Sequence, residues 1–232
     1  MNAERSRAPE HPGEPRLPAA GAVLAAIALY GLLPNGLIVG PRYAVPALEL
    51  LLFVPLVAAN PRRMTRYNVV LRRLSIALVL LIAAANTVAL VLLIRLLVAG
   101  AADQGKNLLL AAGQVWLTNI IMFALAFWEL DRGGPVRRTK TPRSDLPAAD
   151  FRFPQDEDHD AISEVAAGSS AKSGWVPSFI DYLYVSVTNS SAFSPTDTMP
   201  LSHRAKLLMA AESVSAIVLS VLVISRGVSL LK

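Results

Sequence analysis

The sequence predicts an all-α membrane protein: about five transmembrane helices plus a short re-entrant pore-type helix. Three observations lead there. Of 232 residues, 53% are hydrophobic and only 17% charged, with mean hydropathy +0.46; soluble domains carry roughly 25% charge. The apolar residues come in long blocks with few or no charges, and a helix crossing the bilayer core needs about 20 mostly apolar residues. The basic residues collect on one side of the layout those blocks imply.

The blocks are taken in chain order. Residues 1–18 read as a flexible N-terminal tail with Arg5, Arg7 and Arg16 among Glu4, Glu10 and Glu14. The tail lacks a convincing small-residue cleavage site, so it reads as preceding an uncleaved first span. Ala19 to Gly40 is that span, interrupted by Pro34-Asn35-Gly36, which can break a helix. Tyr43 to Ala59 follows with one acid, Glu49, and Leu74 to Ile94 carries no charge at all. Together, residues 19–100 form a predicted three-helix membrane region. Asn107 to Trp128, also uncharged, predicts a helix over 107–130. Leu207 to Leu231 is the last block, holding Glu212 and Arg226.

Charge sets the sidedness. The tail, the loop Asn60 to Arg73 and everything from Asp131 to Lys206 hold 17 of the 22 Lys and Arg residues. Cytoplasmic loops are enriched in these residues, so that side is expected to be cytoplasmic. The basic pI therefore reports topology. No basic motif interleaved with aromatics points to nucleic acid. Residues 131–177 are rich in Pro, Ser, Gly and charge, sustain no apolar period, and read as a mostly disordered charged loop. Within it, Asp156-Glu157-Asp158-His159-Asp160 lacks the spacing and glycine turn of a calcium loop and reads as a solvated acidic run.

Residues 178–231 carry the most legible function. Ser178, three residues before Asp181, suits a helix start with an acid at the positive end of the dipole. The helix that follows is too short to span, and a hydroxyl-rich stretch leads from it to the last block. A half-helix, a polar turn and a full span make a pore-loop pattern, tolerated at membrane depth where it is buried in protein or lines a wet cavity.

Leu183-Tyr184-x-Ser186, then Asp197, then Pro200 three residues on, resembles the pore module of two-helix potassium channels. The resemblance covers about a quarter of the chain. It implies that 107–130 is an outer helix, that the last block is a pore-lining inner helix, and that four copies assemble around one pathway. The pore or filter-like residues would be Ser190, Ser191, Ala192, Phe193, Ser194, Pro195, Thr196 and Asp197. This chain departs from the family where the filter needs glycines: Ser194 and Thr196 stand there, and Pro195 replaces the tyrosine. A potassium filter aims successive carbonyls at the ion, with glycine at positions L-residues avoid. The expectation is a pathway passing small monovalent cations with poor selectivity, or a relict module that only packs. In the family the loop enters from outside, whereas charge counting puts it on the cytoplasmic side here. Phe127-Trp128-Glu129-Leu130-Asp131-Arg132-Gly133-Gly134-Pro135 and Ala192 to Pro200 also look like segments of uncharacterised bacterial integral membrane proteins.

Two acids fall inside apolar blocks. Glu49 is an intramembrane carboxylate and by default a functional candidate; the alternative is a packing acid paired with Arg95 or a backbone group. Glu212, one turn and a half past Lys206, reads as snorkelling or pairing near the interface. Asn86, Thr87, Thr118 and Asn119 are expected to hydrogen-bond across helices. No cysteine and no histidine cluster supports a metal or redox cofactor. No motif with a catalytic mechanism is present, so no enzyme is expected. The sequence therefore points to a multi-pass, homo-oligomeric protein of a bacterial inner (plasma) membrane. Its expected partners are the bilayer, its own copies and small cations, and a non-conducting accessory subunit is the alternative.

Overall fold

Helices follow the apolar blocks. The computed structural model describes residues 11–99, 105–157, 162–191 and 197–229. Glu14–Pro15 form a short strand, β1. Helix α1 (Leu17–Gly31) begins with Pro18 in its first turn and stops short of Pro34, whose φ of −57° and ψ of 148° are extended. A single 3-10 turn, Asn35–Leu37, follows. Helix α2 (Ala44–Ala59) brings the chain back to β2 (Arg63–Met64), which pairs antiparallel with β1. Asn68 caps α3 (Val69–Val98), accepting from the Val70 N–H at 2.8 Å, as helix starts require. Helix α4 (Gly105–Leu130) returns.

After α4 the chain builds a cap. It contains α5 (Pro135–Lys140), β3 (Phe151–Arg152), α6 (Ser163–Ala166) and α7 (Ser170–Ser173). Helix α8 (Phe179–Ser190) then leads to β4 (Met199–Pro200), which pairs with β3, and to the long α9 (His203–Ser229). The all-α prediction holds. Three helices are long and apolar enough to cross a membrane: Val69–Val98, Asn107–Gly133 and His203–Val228. The first two blocks give shorter helices, of 15 and 16 residues. At about 1.5 Å per residue they fall short of a core about 30 Å thick, because Pro34 ends the first and Asn60 the second.

Helix α4 is the centre of the bundle, touching α1, α3, α8 and α9. Its second half is buried almost without interruption from Met122 to Glu129. Two apolar clusters surround it. One, at the capped end, holds Phe53, Phe123, Phe127, Phe151, Phe179 and Tyr182; the other, at the far end, holds Tyr30, Leu37, Leu93, Leu97 and Leu108. By contrast α9 exposes Leu207, Val214, Ile217, Val221 and Ile224, an apolar surface suited to lipid or another chain.

Two sequence expectations are corrected at the capped end. The segment 131–177 is not a disordered loop over its described residues. Phe151 and Phe153 are buried, and their rings pack edge-on against Phe127, Tyr182 and Trp175. Nor is the tail free beyond residue 10: Glu14 is buried beneath the cap and β1 is paired. The tail, the 60–68 turn and the cap meet at this one end, where the sequence grouped them by charge.

The turn leaving α4 depends on glycine. Arg132, Gly133 and Gly134 all have positive φ, at 51°, 80° and 92°, a region that favours glycine. A Cβ on Gly134 would also clash with Arg72 Nη1 and press on the Glu129 carbonyl at 3.1 Å. Gly134→Ala is therefore expected to cost about 1–3 kcal/mol in strain alone, with the Arg72 clash added. Gly174 also has positive φ, at 67°, with nothing within 4 Å of a Cβ there. In thermal unfolding in detergent, Gly174→Ala should lower the midpoint less than Gly134→Ala.

Candidate functional site

The candidate site begins with α8 and the way it is seated. Asp181 Oδ2 accepts from the Ser178 N–H at 2.7 Å and from Ser178 Oγ at 2.8 Å, so the helix start read from Ser178 and Asp181 is present. The same end of α8 lies under the cap. The Phe179 N–H donates to Glu14 Oε1 at 2.6 Å, and the Tyr182 hydroxyl donates to Asp131 Oδ2 at 2.5 Å. Further along, α8 is bonded to both neighbours: the Ser186 hydroxyl shares its one proton between the Ile120 carbonyl of α4, at 2.8 Å, and Glu212 of α9, and Asn189 Nδ2 donates to the Met209 carbonyl of α9 at 2.9 Å. The chain is then back at the capped end, where the Leu201 N–H donates to the Asp150 carbonyl at 2.8 Å. Helix α8 thus packs between α4 and α9, and at Leu201 the chain is at the capped end.

Glu212 of α9 faces the last turns of α8. It is 0% exposed. Its Oε1 accepts from Ser186 Oγ and from Ser190 Oγ (3.0 Å), and its Oε2 from Asn189 Nδ2 (2.7 Å). The expectation of a snorkelling acid near Lys206 is thereby corrected: Glu212 points into the bundle at α8, because three side-chain donors on one face of that helix compensate its burial. Ser213 Oγ adds a bond to Asn189 Oδ1 at 2.9 Å.

The polar layer continues across the bundle. Asn119 on α4 accepts from Asn86 on α3 at 3.1 Å and donates to Ser215 on α9 at 3.1 Å. The cross-helix role expected of Asn86 and Asn119 is present. Thr87 and Thr118 instead bond back to carbonyls of their own helices, Ala83 and Gln114, as threonines in helices commonly do.

The filter-like residues divide. Ser190 is buried on Glu212, and Ser191 Oγ donates to the Val187 carbonyl of its own helix at 2.7 Å. Asp197 is exposed. Ala192, Phe193, Ser194, Pro195 and Thr196 lie outside the described residues. Glu49 is 2% exposed, and its Oε2 has no hydrogen-bond partner. The pairing with Arg95 is not made: Arg95 is exposed at the end of α3, and no ion pair joins the two.

A second polar cluster holds the cap to the bundle, and sequence reading missed it. Arg138 is 2% exposed. It donates to the carbonyls of Pro177 (3.0 Å) and Trp128 (2.7 Å) and to Glu14 Oε2 (3.3 Å), with its guanidinium 4.9 Å from the centre of the Tyr182 ring. Asp131, fully buried, accepts from the Asp150 N–H at 2.7 Å and from Tyr182. Arg204 at the start of α9 holds the Asp150 carboxylate, with Nε at 2.6 Å. In the acidic run, Asp156 is bound by Arg132 at 2.5 Å and Ser170 at 3.0 Å, and Glu157 by Arg152 at 2.7 Å. Asp156 therefore braces the cap, whereas Glu157 is exposed, as expected of a solvated acidic run; Asp158, His159 and Asp160 lie outside the described residues. Among the described residues no group of three or more His, Cys, Asp or Glu could hold a metal. No family model, no curated protein and no solved structure matches the chain.

Proposed function

We propose that the chain is a pore-loop, channel-like integral membrane protein that passes small monovalent cations with poor selectivity. The observation that carries this reading is the seating of α8: a short helix packed between α4 and α9, with the chain at the capped end by Leu201. In this reading α8 is re-entrant, α4 is the outer helix and α9 the inner helix. The segment 192–196 joins the tip of α8 to Asp197, and Asp197 biases the mouth toward cations. Helices α1 and α2 complete five crossings of a bacterial inner membrane, using the flanking Leu32, Leu33 and Ile38 to lengthen the first. The exposed faces of α9 and of α8 (Ile180, Tyr184 and Val187) supply surface for a homo-oligomer, four copies by the resemblance to potassium channels.

The test is ion flux from liposomes holding the purified protein, loaded in turn with potassium, sodium and chloride. Both cations should pass at similar rates and chloride more slowly. Asp197→Asn should reduce cation flux several-fold while the oligomer, measured by light scattering in detergent, stays intact. Absence of flux for every ion, from folded oligomer, overturns the reading. A second reading would then stand, a non-conducting accessory subunit that keeps the module for assembly. It is favoured by Ser190 and Ser191, whose hydroxyls are spent on Glu212 and on the Val187 carbonyl.

A further inference from the structure

We infer that the capped end holds a built site for one anionic phospholipid: its phosphate among arginines, the first part of an acyl chain in an apolar cleft. A cavity of about 80 Å³ opens between α1, α2, α3, α4 and the cap. Its deep walls are apolar, formed by Val23, Phe53, Leu78 and Leu125, whereas Arg16, Arg66, Arg72 and Arg137 also line it. This amphiphilic division suits a molecule with an anionic head and a hydrocarbon start. It lies at the end that carries most of the basic residues, where pockets between helices take anionic headgroups.

The charges inside the cavity do not cancel. One acid, Glu129, lies there, and it is already engaged by Arg72 Nη1 at 3.3 Å and Ser75 Oγ at 3.0 Å. That leaves Arg16, Arg66 and Arg137, for which no carboxylate lies within ion-pairing distance among the described residues. Arg16 is the most telling. Its Nε is buried and has no hydrogen-bond partner, and a buried charged donor without an acceptor is costly. A phosphate oxygen is the acceptor it lacks, and a planar guanidinium suits phosphate geometry. The occupant is a phospholipid rather than free phosphate because half of the cavity offers phosphate nothing.

The full chain, delipidated in detergent, would be titrated with dioleoylphosphatidylglycerol, dioleoylphosphatidylcholine or inorganic phosphate and read by native mass spectrometry. One phosphatidylglycerol should be retained per chain, and phosphatidylcholine much less. Arg16→Gln with Arg66→Gln should weaken retention roughly tenfold or more. Arg62→Gln with Arg73→Gln, the same charge removed from outside the cavity, should leave it unchanged. Equal losses in the two double variants would overturn the proposal, reducing it to general attraction. Millimolar phosphate displacing phosphatidylglycerol completely would also overturn it, in favour of a free-anion site. Should the first double variant not fold, wild-type protein decides. Phosphatidylglycerol with a photoreactive group near its first acyl carbons should label α1 and α3 around Val23 and Leu78. Labelling only on the exposed face of α9 would overturn the site.

Discussion

Replacing Arg138 with methionine should destabilise the protein by about 3–5 kcal/mol, the cost of leaving a buried charge without its partner. Methionine keeps much of the volume, so the loss isolates the guanidinium. That group joins three separate pieces of chain: Glu14 in the tail, the last carbonyls of α4, and Pro177 just before α8. Its removal takes the cation from Glu14, which is 3% exposed and, among the described residues, otherwise accepts only from Trp128 Nε1 and the Phe179 N–H. The expected signature is a detached cap. Proteolysis should open near residues 140–177 before the helices unfold, and the unfolding midpoint should fall by several degrees.

The same variant should change the pH dependence. Burial raises the Glu14 carboxyl above its ordinary value of 4.5, and Arg138 is the largest influence opposing that rise. With the folded value raised, the folded state binds more protons than the unfolded one between the two values. Stability from this group is therefore full below about 4.5 and declines as pH climbs through the raised value. Without Arg138 the carboxyl rises further. Arg138→Met should thus lie closest to wild type in acid and fall away as pH rises toward neutrality. Midpoints measured from pH 4 to 8 check this; a gap independent of pH would mean that Glu14 is not the group left without its cation.

This network marks the limit of what the sequence makes legible. Long apolar runs with few charges announce helices because every buried backbone group is satisfied within the run, so α3, α4 and α9 can be read directly. The start of α8 is readable because Ser178 and Asp181 are three residues apart and act on each other. The cap leaves no such trace. Its core is a few aromatics spaced without period: Phe151 and Phe153 are buried against Phe127 and Tyr182 from other elements, and the half-buried Trp175 packs on Phe153. Its charges look solvated because their partners are remote: Glu14 and Arg138 are 124 residues apart. Gly133-Gly134 was visible as a motif, but only the positive φ values and the approach of Arg72 give it a reason. Glu212 is hidden from a sequence reading in the same way. Lys206 was near in sequence, whereas its donors lie 22 to 26 residues upstream.

Those donors make Glu212 the second position of large effect. Glu212→Ala leaves Ser186, Asn189 and Ser190 without their shared acceptor inside the bundle. An unsatisfied buried donor costs about 1–3 kcal/mol, but the three costs do not simply add. Ser186 keeps the Ile120 carbonyl, the Ser190 hydroxyl can turn to a carbonyl of its own helix, as Ser191 does with Val187, and Asn189 keeps its bond to the Met209 carbonyl. A loss of about 3 kcal/mol is expected, carried mainly by the Asn189 amide and the space the side chain vacates. Glu212→Gln keeps one carbonyl oxygen but sets an amide where the other oxygen accepted, so its loss should be intermediate. A double-mutant cycle with Asn189→Ala tests the assignment. The joint loss should fall short of the sum by about 1 kcal/mol, as for residues in one hydrogen-bond network; strict additivity would mean that the two do not act together. Because Glu212 fixes how deep the tip of α8 sits, hydrogen exchange should rise first at 186–191 in Glu212→Ala, with α3 unchanged. On the pore-loop reading, the same variant should lose cation flux even under conditions where the bundle stays folded. The acid then serves the pathway by holding the half-helix at depth, without facing the ion.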